Sequence, residues 1–119
     1  MSPDLENWQA QIRKGWLDVA ILAVLFDGRR YGLEIIRTLE ERSDLVVGEG
    51  TVYPVLSRLR KDGLLEGSWE ESESGHPRRY YTLTTAGRAR ALVLARQSHH
   101  FLTRMTALIE PLLQEKNHD

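Results

Sequence analysis

The sequence predicts a mainly α-helical fold with one small β-hairpin and a long last helix. Three observations support this fold class. Apolar residues recur every three or four positions up to Lys61, which is the period of an α-helix. Between Leu64 and Leu83 the chain has short runs rich in Trp, Tyr, Leu and Thr, residue types that favour strands. Beyond Thr84 the apolar spacing returns to steps of three, four and seven, as in helices that pack against another helix.

The first helix is predicted over residues 3–26, either as one helix or as two joined near Gly15. Ser2 followed by Pro3 is typical of a helix start, because Ser caps free N–H groups and the N–H that Pro lacks would have no partner there. Asp27 and Gly28 end the helix. Its apolar residues recur at helical spacing: Trp8, Ile12, Trp16, Val19, Ala20 and Ala23.

Two shorter helices follow, over Tyr31–Arg42 and Thr51–Lys61. The first carries apolar residues on one face, namely Ile35, Ile36 and Leu39. The second follows the i, i+3, i+4, i+7 pattern with Val52, Val55, Leu56 and Leu59. If Thr51 is its N-cap, Pro54 lies in the first turn, where no intrahelical N–H is needed. The free N–H groups of that helix end would then suit a phosphate.

The hairpin is predicted from two runs, Leu64–Glu71 and Arg78–Leu83, joined by a polar tip. Tyr80 and Tyr81 point to opposite faces of their strand. We expect one of them to pack under the hairpin with Trp69 and the other to be free.

The last helix is predicted from Ala86 to Glu115, capped by Thr84 or Thr85. It would be about 45 Å long, longer than the small domain before it, and Pro111 should kink it or end its regular part. Its apolar stripe, formed by Leu94, Phe101, Met105, Leu108 and Leu112, is wider than a lone surface helix requires and is typical of a helix that packs against another helix. The sequence therefore divides into residues 1–85, a domain that includes the N-terminal helix and the hairpin, and residues 86–119, the last helix.

Composition excludes several classes of protein. The 119 residues contain no cysteine, which excludes disulfides, thiolate zinc sites and cysteine nucleophiles. The longest uncharged apolar run covers only Val19 to Phe26, too short to span a membrane. The acidic N-terminus lacks a signal-peptide core, so we expect a cytoplasmic protein without membrane contact.

The formal net charge of −1 hides a strong segregation of charge. Five acids and no Lys or Arg lie between Asp62 and Glu73, whereas no acid lies between His76 and Ile109. The acid-free stretch carries six arginines: Arg78, Arg79, Arg88, Arg90, Arg96 and Arg104. Such blocks form an anion-binding surface if the fold brings them together, and are otherwise solvated helix faces.

Three helices followed by a hairpin is the element order of a winged helix-turn-helix, whose third helix enters the major groove of DNA. The outward face of the third helix lacks acids and large aliphatic residues, and its hydroxyls and cations suit base edges and phosphates. The candidate DNA-binding residues of this recognition helix are Thr51, Tyr53, Pro54, Ser57, Arg58 and Lys61, and those of the wing are His76, Arg78 and Arg79. As an alternative for the wing, Arg78 and Arg79 could pair across the hairpin with Glu70, Glu71 or Glu73.

Four sequence blocks resemble the PadR family of bacterial transcriptional regulators. They are Gly15-Trp16-Leu17-Asp18, Tyr31-Gly32-Leu33-Glu34-Ile35-Ile36, the stretch from Glu49 to Leu65, and Arg78-Arg79-Tyr80-Tyr81-Thr82-Leu83-Thr84 with Ala86-Gly87. They occur in the family's order over residues 13–90, and the last helix, which is short for the family, resembles that of the smaller subfamily. The resemblance implies a homodimeric repressor, with residues 1–85 as the DNA-binding domain and residues 86–119 as a dimerisation helix whose interface is formed by Leu94, Phe101, Met105, Leu108 and Leu112. Such a dimer would bind a near-palindromic double-stranded operator with half-sites about one helical turn apart.

The resemblance also implies release by a small aromatic or drug-like effector. Some relatives hold a planar ligand against a tryptophan of the last helix, but this last helix has none. Candidates for an effector pocket are therefore Trp8, Trp16 and Phe101, although each could instead pack in a core or dimer contact.

Parts of the sequence are compatible with two other functions. A small enzyme or metal protein could use His76, His99 and His100, but adjacent histidines on a helix point about 100° apart and no catalytic motif accompanies them. We therefore expect no catalytic residues, no metal and no cofactor. A winged helix used only for protein contacts, through the acidic stretch Glu66 to Glu73, is the alternative to DNA binding.

Overall fold

A computed structural model of the chain describes residues 3–115, except the side chain of Pro3. Ser2, predicted as the first helix cap, lies outside this range. The elements in order are α1 (Pro3–Leu25), β1 (Arg30–Tyr31), α2 (Gly32–Ser43), α3 (Glu49–Lys61), β2 (Leu65–Glu71), β3 (Pro77–Leu83) and α4 (Thr85–Leu113). This mainly helical fold with a small sheet confirms the predicted fold class, and α1 is one helix, without a break at Gly15.

The predicted two-stranded hairpin is part of a three-stranded antiparallel sheet with the order β1-β3-β2. The added strand β1 has only two residues, and Tyr31, predicted as the start of a helix, pairs with Tyr80. Such a short strand has no periodicity of its own, so only its pairing with β3 reveals it. Between β2 and β3 the register places Gly67 opposite Tyr81 and Trp69 opposite Arg79.

The core lies where α1, α2 and α3 meet the base of the sheet. Aliphatic side chains from all three helices are buried there because each helix turns its apolar face inward. The largest fully buried side chains are Leu17, Ile21, Leu22, Leu25, Ile35, Leu39, Val52, Leu56 and Leu59.

The junctions around β2 are fixed by backbone contacts. Gly63 has a φ of 79° and its N–H donates to Arg60 O, while Leu64 N donates to Leu59 O. This Schellman arrangement ends α3, as the Asp62-Gly63 pair predicts. At the start of α4, a Cβ on Gly87 would lie 2.0 Å from the carbonyl oxygen of Leu64, so only glycine allows α4 to approach the sheet this closely.

Thr84 is the cap of α4, which decides between the two predicted threonines. Pro111 lies inside the helix, and the helix ends at Leu113, two residues later. The helix therefore continues past Pro111, and Gln114 N still donates to Glu110 O at 3.3 Å, although Pro111 itself supplies no N–H to the carbonyl four residues before it.

Candidate nucleic-acid interface

The outward face of α3 has the composition that the sequence predicts. Val52, Leu56 and Leu59 are buried against the core and Val55 is partly buried. The opposite side chains form what we call the recognition face. Exposed on it are Thr51, Tyr53, Pro54, Arg58 and Lys61, and Ser57 is partly exposed.

The start of α3 differs from the prediction. Gly48, not Thr51, is the N-cap, and Gly48 O accepts hydrogen bonds from Thr51 N and Val52 N at 3.1 and 3.0 Å. Pro54 therefore lies in the second turn, where its missing N–H leaves the carbonyl of Gly50 without its helical donor. The prediction that Pro54 lies in the first turn was wrong. Gly48 and Gly50 take part in the first turn of α3, which the low helix propensity of glycine does not predict.

Arg58 of the recognition face is held by α1. Its Nη2 lies 2.7 Å from Asp18 Oδ1, and both side chains are substantially exposed. The hydrogen bond and charge of Asp18 raise the pKa of Arg58, so the guanidinium stays charged. Any phosphate that Arg58 contacts must therefore compete with Asp18.

Tyr53 lies against the start of α2. A Cβ on Gly32 would fall 2.3 Å from the Tyr53 hydroxyl, so the ring can lie there only over a glycine. Burial raises the pKa of the Tyr53 phenol, and the Glu49 carboxylate and Tyr81 raise it further. The phenol therefore remains a hydrogen-bond donor at neutral pH.

The wing, which we define as β2, β3 and the loop between them, presents two arginines that do not pair with its acids. The Arg78 guanidinium lies 4.3 Å from the centroid of the Tyr31 ring. Glu70, its cross-strand neighbour, pairs instead with Arg29, which also lies over Tyr80. Within residues 3–115 neither Arg78 nor Arg79 lies within ion-pair distance of a carboxylate, so the structure does not form the alternative cross-strand pairs.

Arg79 lies between two aromatic rings of the wing. Its guanidinium is 5.8 Å from the Trp69 ring centroid and 5.9 Å from that of Tyr81. Tyr81 is buried, whereas Trp69 is 67% exposed. The prediction that Trp69 packs under the hairpin was wrong, because the tip of the sheet projects beyond the core and Trp69 meets Arg79 there instead.

The recognition face and the wing meet in one cleft of about 410 Å³, which we call the wing cleft. Tyr53 of α3 lines this cleft together with Trp69, Arg78 and Arg79 of the wing. His76 is exposed at the wing tip, where its carbonyl accepts hydrogen bonds from the backbone N–H and the hydroxyl of Ser72.

The family model described as the transcriptional regulator PadR-like family matches residues 21–92, which is more than half of the chain. The chain belongs to the PadR-like family. A PadR-like transcription factor from Bacteroides fragilis is 37% identical, with a TM-score of 0.69 over 86% of this chain and 98% of that one.

Two further solved structures agree with this assignment. A PadR-like transcriptional regulator from Bacillus cereus is 31% identical, with a TM-score of 0.70 over 89% of this chain and 99% of the other. A PadR family regulator from Eggerthella lenta is 26% identical, with a TM-score of 0.76 over 89% and 92%. This PadR-like protein is therefore a transcriptional regulator, and its family is not one of enzymes.

The residues predicted for dimerisation divide into two groups along α4 of this PadR-like protein. Leu94 packs against the chain's own core, and the Phe101 ring lies 6.2 Å from that of Trp16 on α1. Met105 is half-buried, whereas Leu108 and Leu112 are each 71% exposed. Phe101 is 53% exposed, so within the stripe the exposure is highest at Leu108 and Leu112, toward the far end of α4.

The three aromatic residues predicted for an effector pocket are only partly brought together. Trp16 and Phe101 line a cleft of about 450 Å³ between α1 and α4. Trp8 lies two turns away on α1, is exposed and does not line this cleft.

The structure adds residues that the sequence patterns did not identify. Asp18 holds Arg58, Gly32 admits Tyr53, and Trp69 contacts Arg79. The signals available were an acid among the apolar residues of α1, a glycine at a helix start and a tryptophan on a mostly polar strand.

In the part of the chain that the structure describes, no group of three or more His, Asp and Glu side chains could hold a metal ion. Over residues 3–115, no helix is long and apolar enough to cross a membrane.

Proposed function

We propose that this PadR-like regulator binds double-stranded DNA as a homodimer, with α3 in the major groove and the wing on the adjacent backbone. It acts as a repressor in the cytoplasm, and a small aromatic effector releases it from a near-palindromic operator. The observation that carries the proposal is the wing cleft, which is lined both by Tyr53 of the recognition face and by Arg78 and Arg79, the two wing arginines without a carboxylate partner.

The charges around this cleft support a polyanionic partner. Arg78 and Arg79 are partly exposed and bound only to aromatic rings, so their positive charge is not neutralised by the chain itself. Glu70 is neutralised by Arg29, which removes a carboxylate from the same strand pair. An anion that enters the wing cleft therefore meets two guanidinium groups that no carboxylate of the described residues neutralises, as DNA phosphates require.

The test is a salt titration of DNA binding by the wild type and the double variant Arg78→Ala/Arg79→Ala. We expect the double variant to bind more weakly and the log–log slope of affinity against salt to fall by about two units, because each arginine neutralises one phosphate. Arg104→Ala is the matched control, because Arg104 is an exposed arginine near the far end of α4.

An unchanged slope in the double variant contradicts the role of the wing. No binding of the wild type to promoter or random DNA at low salt contradicts DNA binding itself and favours the protein-contact alternative. If the wild type binds DNA, selection of bound fragments from genomic DNA supplies the operator.

The effector part of the proposal is supported by the cleft between α1 and α4. Its two aromatic side chains, Trp16 and Phe101, offer ring faces to a planar molecule. A planar aromatic dye should quench the tryptophan fluorescence of the wild type more than that of Trp16→Phe. Equal quenching would contradict this location.

A further inference from the structure

We propose that Gly67 and Trp69 are positioning residues that hold the Arg79 guanidinium for one backbone phosphate of DNA. Together with Tyr81 they form what we call the Arg79 slot. The proposal rests on the proposed DNA binding and deepens it, because it names the contact made on the wing side of the wing cleft.

Gly67 provides the space for the slot. Gly67 and Tyr81 are cross-strand partners, as are Trp69 and Arg79, so all four side-chain positions share one face of the sheet. A Cβ on residue 67 would lie 2.5 Å from Arg79 Nε and 3.0 Å from Arg79 Nη2. Any side chain at this position would therefore push the guanidinium off the strand surface.

The two rings of the slot limit where the guanidinium can move. Trp69 and Tyr81 each place a ring centroid within about 6 Å of Arg79 Cζ, the range in which a ring face attracts a cation. Burial cannot explain Trp69, because most of its surface is exposed. Its contact with Arg79 gives this exposed tryptophan a function on the wing.

Among residues 3–115, the Arg79 guanidinium makes no hydrogen bond. Nε is buried and has no hydrogen-bond partner among the residues that the structure describes, and no carboxylate of that range pairs with the guanidinium. The slot covers Nε, which leaves the terminal amino groups to meet a ligand. A planar, pre-positioned guanidinium with free amino groups matches the fork geometry of a phosphate.

The wing cleft supplies a second donor. Tyr53 lines it with a phenol that stays protonated at neutral pH, and no acidic side chain lines the cleft. A phosphate that approaches Arg79 therefore meets a cation and a neutral donor in a cleft whose lining residues include no carboxylate.

The experiment measures the affinity of full-length variants for a short duplex of arbitrary sequence over a series of salt concentrations. Arbitrary sequence suffices because a phosphate contact is independent of base sequence. We expect Arg79→Gln to bind about tenfold more weakly, with a salt slope about one unit smaller. Gly67→Ala and Trp69→Leu should show the same change although both keep the arginine.

Two controls separate positioning from a general effect on the strand. Trp69→Phe should bind better than Trp69→Leu because it keeps a ring beside Arg79. Ser68→Ala, on the other face of β2, should bind like the wild type. In an Arg79→Gln background, Gly67→Ala and Trp69→Leu should cause no further loss, since the group that they position is absent.

The outcomes distinguish the two proposals. Normal binding by both Gly67→Ala and Trp69→Leu, when Arg79→Gln is impaired, overturns the slot and leaves DNA binding intact. The slot is also overturned if Gly67→Ala or Trp69→Leu weakens DNA binding further in the Arg79→Gln background. Absence of duplex binding by the wild type overturns both. Trp69→Leu keeps the test valid if Gly67→Ala fails to fold, because Trp69 lies mostly outside the core.

Discussion

The arginines of the candidate interface differ in what their guanidinium groups contact. Arg58 donates to a carboxylate, whereas Arg78 and Arg79 contact ring faces. A ring contact leaves the positive charge available to DNA, whereas an ion pair must be broken or shared. Availability for DNA therefore depends on partners contributed by other elements.

Replacing Asp18 tests this difference for Arg58. We expect Asp18→Asn to bind DNA a few-fold more tightly. Breaking an exposed ion pair costs about 0.2 to 1 kcal/mol, and in this variant Arg58 has no ion pair to break before it contacts DNA. The control is Asp27→Asn, which removes a carboxylate that pairs with Arg42 near the end of α1. Weaker binding by Asp18→Asn, measured in the same salt titration, would show instead that Asp18 orients Arg58 toward DNA.

At the scale of the elements, caps and close approaches determine where α3, the sheet and α4 meet. The Thr84 hydroxyl accepts a hydrogen bond from Gly87 N at 2.9 Å and donates one to Gly63 O at 2.7 Å. One side chain thus ties the start of α4 to the turn that ends α3. This junction carries the wing, because β2 begins directly after it.

Thr84→Ala should therefore destabilise the protein by about 1 to 2 kcal/mol, since it removes an N-cap and a second hydrogen bond. Thr85→Ala is the matched control. It changes an exposed neighbour in the first turn of α4, so we expect little or no loss of stability. Denaturant unfolding measures both, and equal midpoints for the two variants would contradict the role of the Thr84 hydroxyl.

The whole molecule is too elongated for a compact domain of its length. Its radius of gyration is 17.1 Å and its extents are 60 × 31 × 22 Å, whereas a compact chain of this length has a radius of about 13.5 Å. The exposed apolar residues of the far half of α4 include Leu108, Leu112 and Leu113. An apolar helix of this kind is stabilised by covering its stripe, which a second copy can do symmetrically.

Introducing charge into this stripe tests the dimer. We expect the wild type to sediment as a dimer and Leu108→Glu/Leu112→Glu as a monomer, because four carboxylates would be forced into an apolar interface. Thr103→Glu, on the opposite face of α4, should remain dimeric. A wild type that sediments as a monomer would contradict the proposed homodimer, and the measurement is independent of DNA.

The sequence by itself determined the features that depend on residues close together in the chain. Helical spacing located α1, α2, α3 and α4, the Asp62-Gly63 pair located the end of α3, and residue types located the wing. The recognition face followed too, because burial of Val52, Leu56 and Leu59 leaves only one face for the other side chains. The division at residue 85, by contrast, remains a prediction.

Only the tertiary structure decided which of the candidate residues are available. The pair of β1 with β3, the contact of Tyr53 with Gly32 and the ion pair of Arg58 with Asp18 each join residues far apart in the chain. The Arg79 slot depends in addition on the strand register, in which a shift of one residue would turn Gly67 to the other face. Local patterns carry no information on such contacts, because these contacts exist only once the core has fixed how the elements pack.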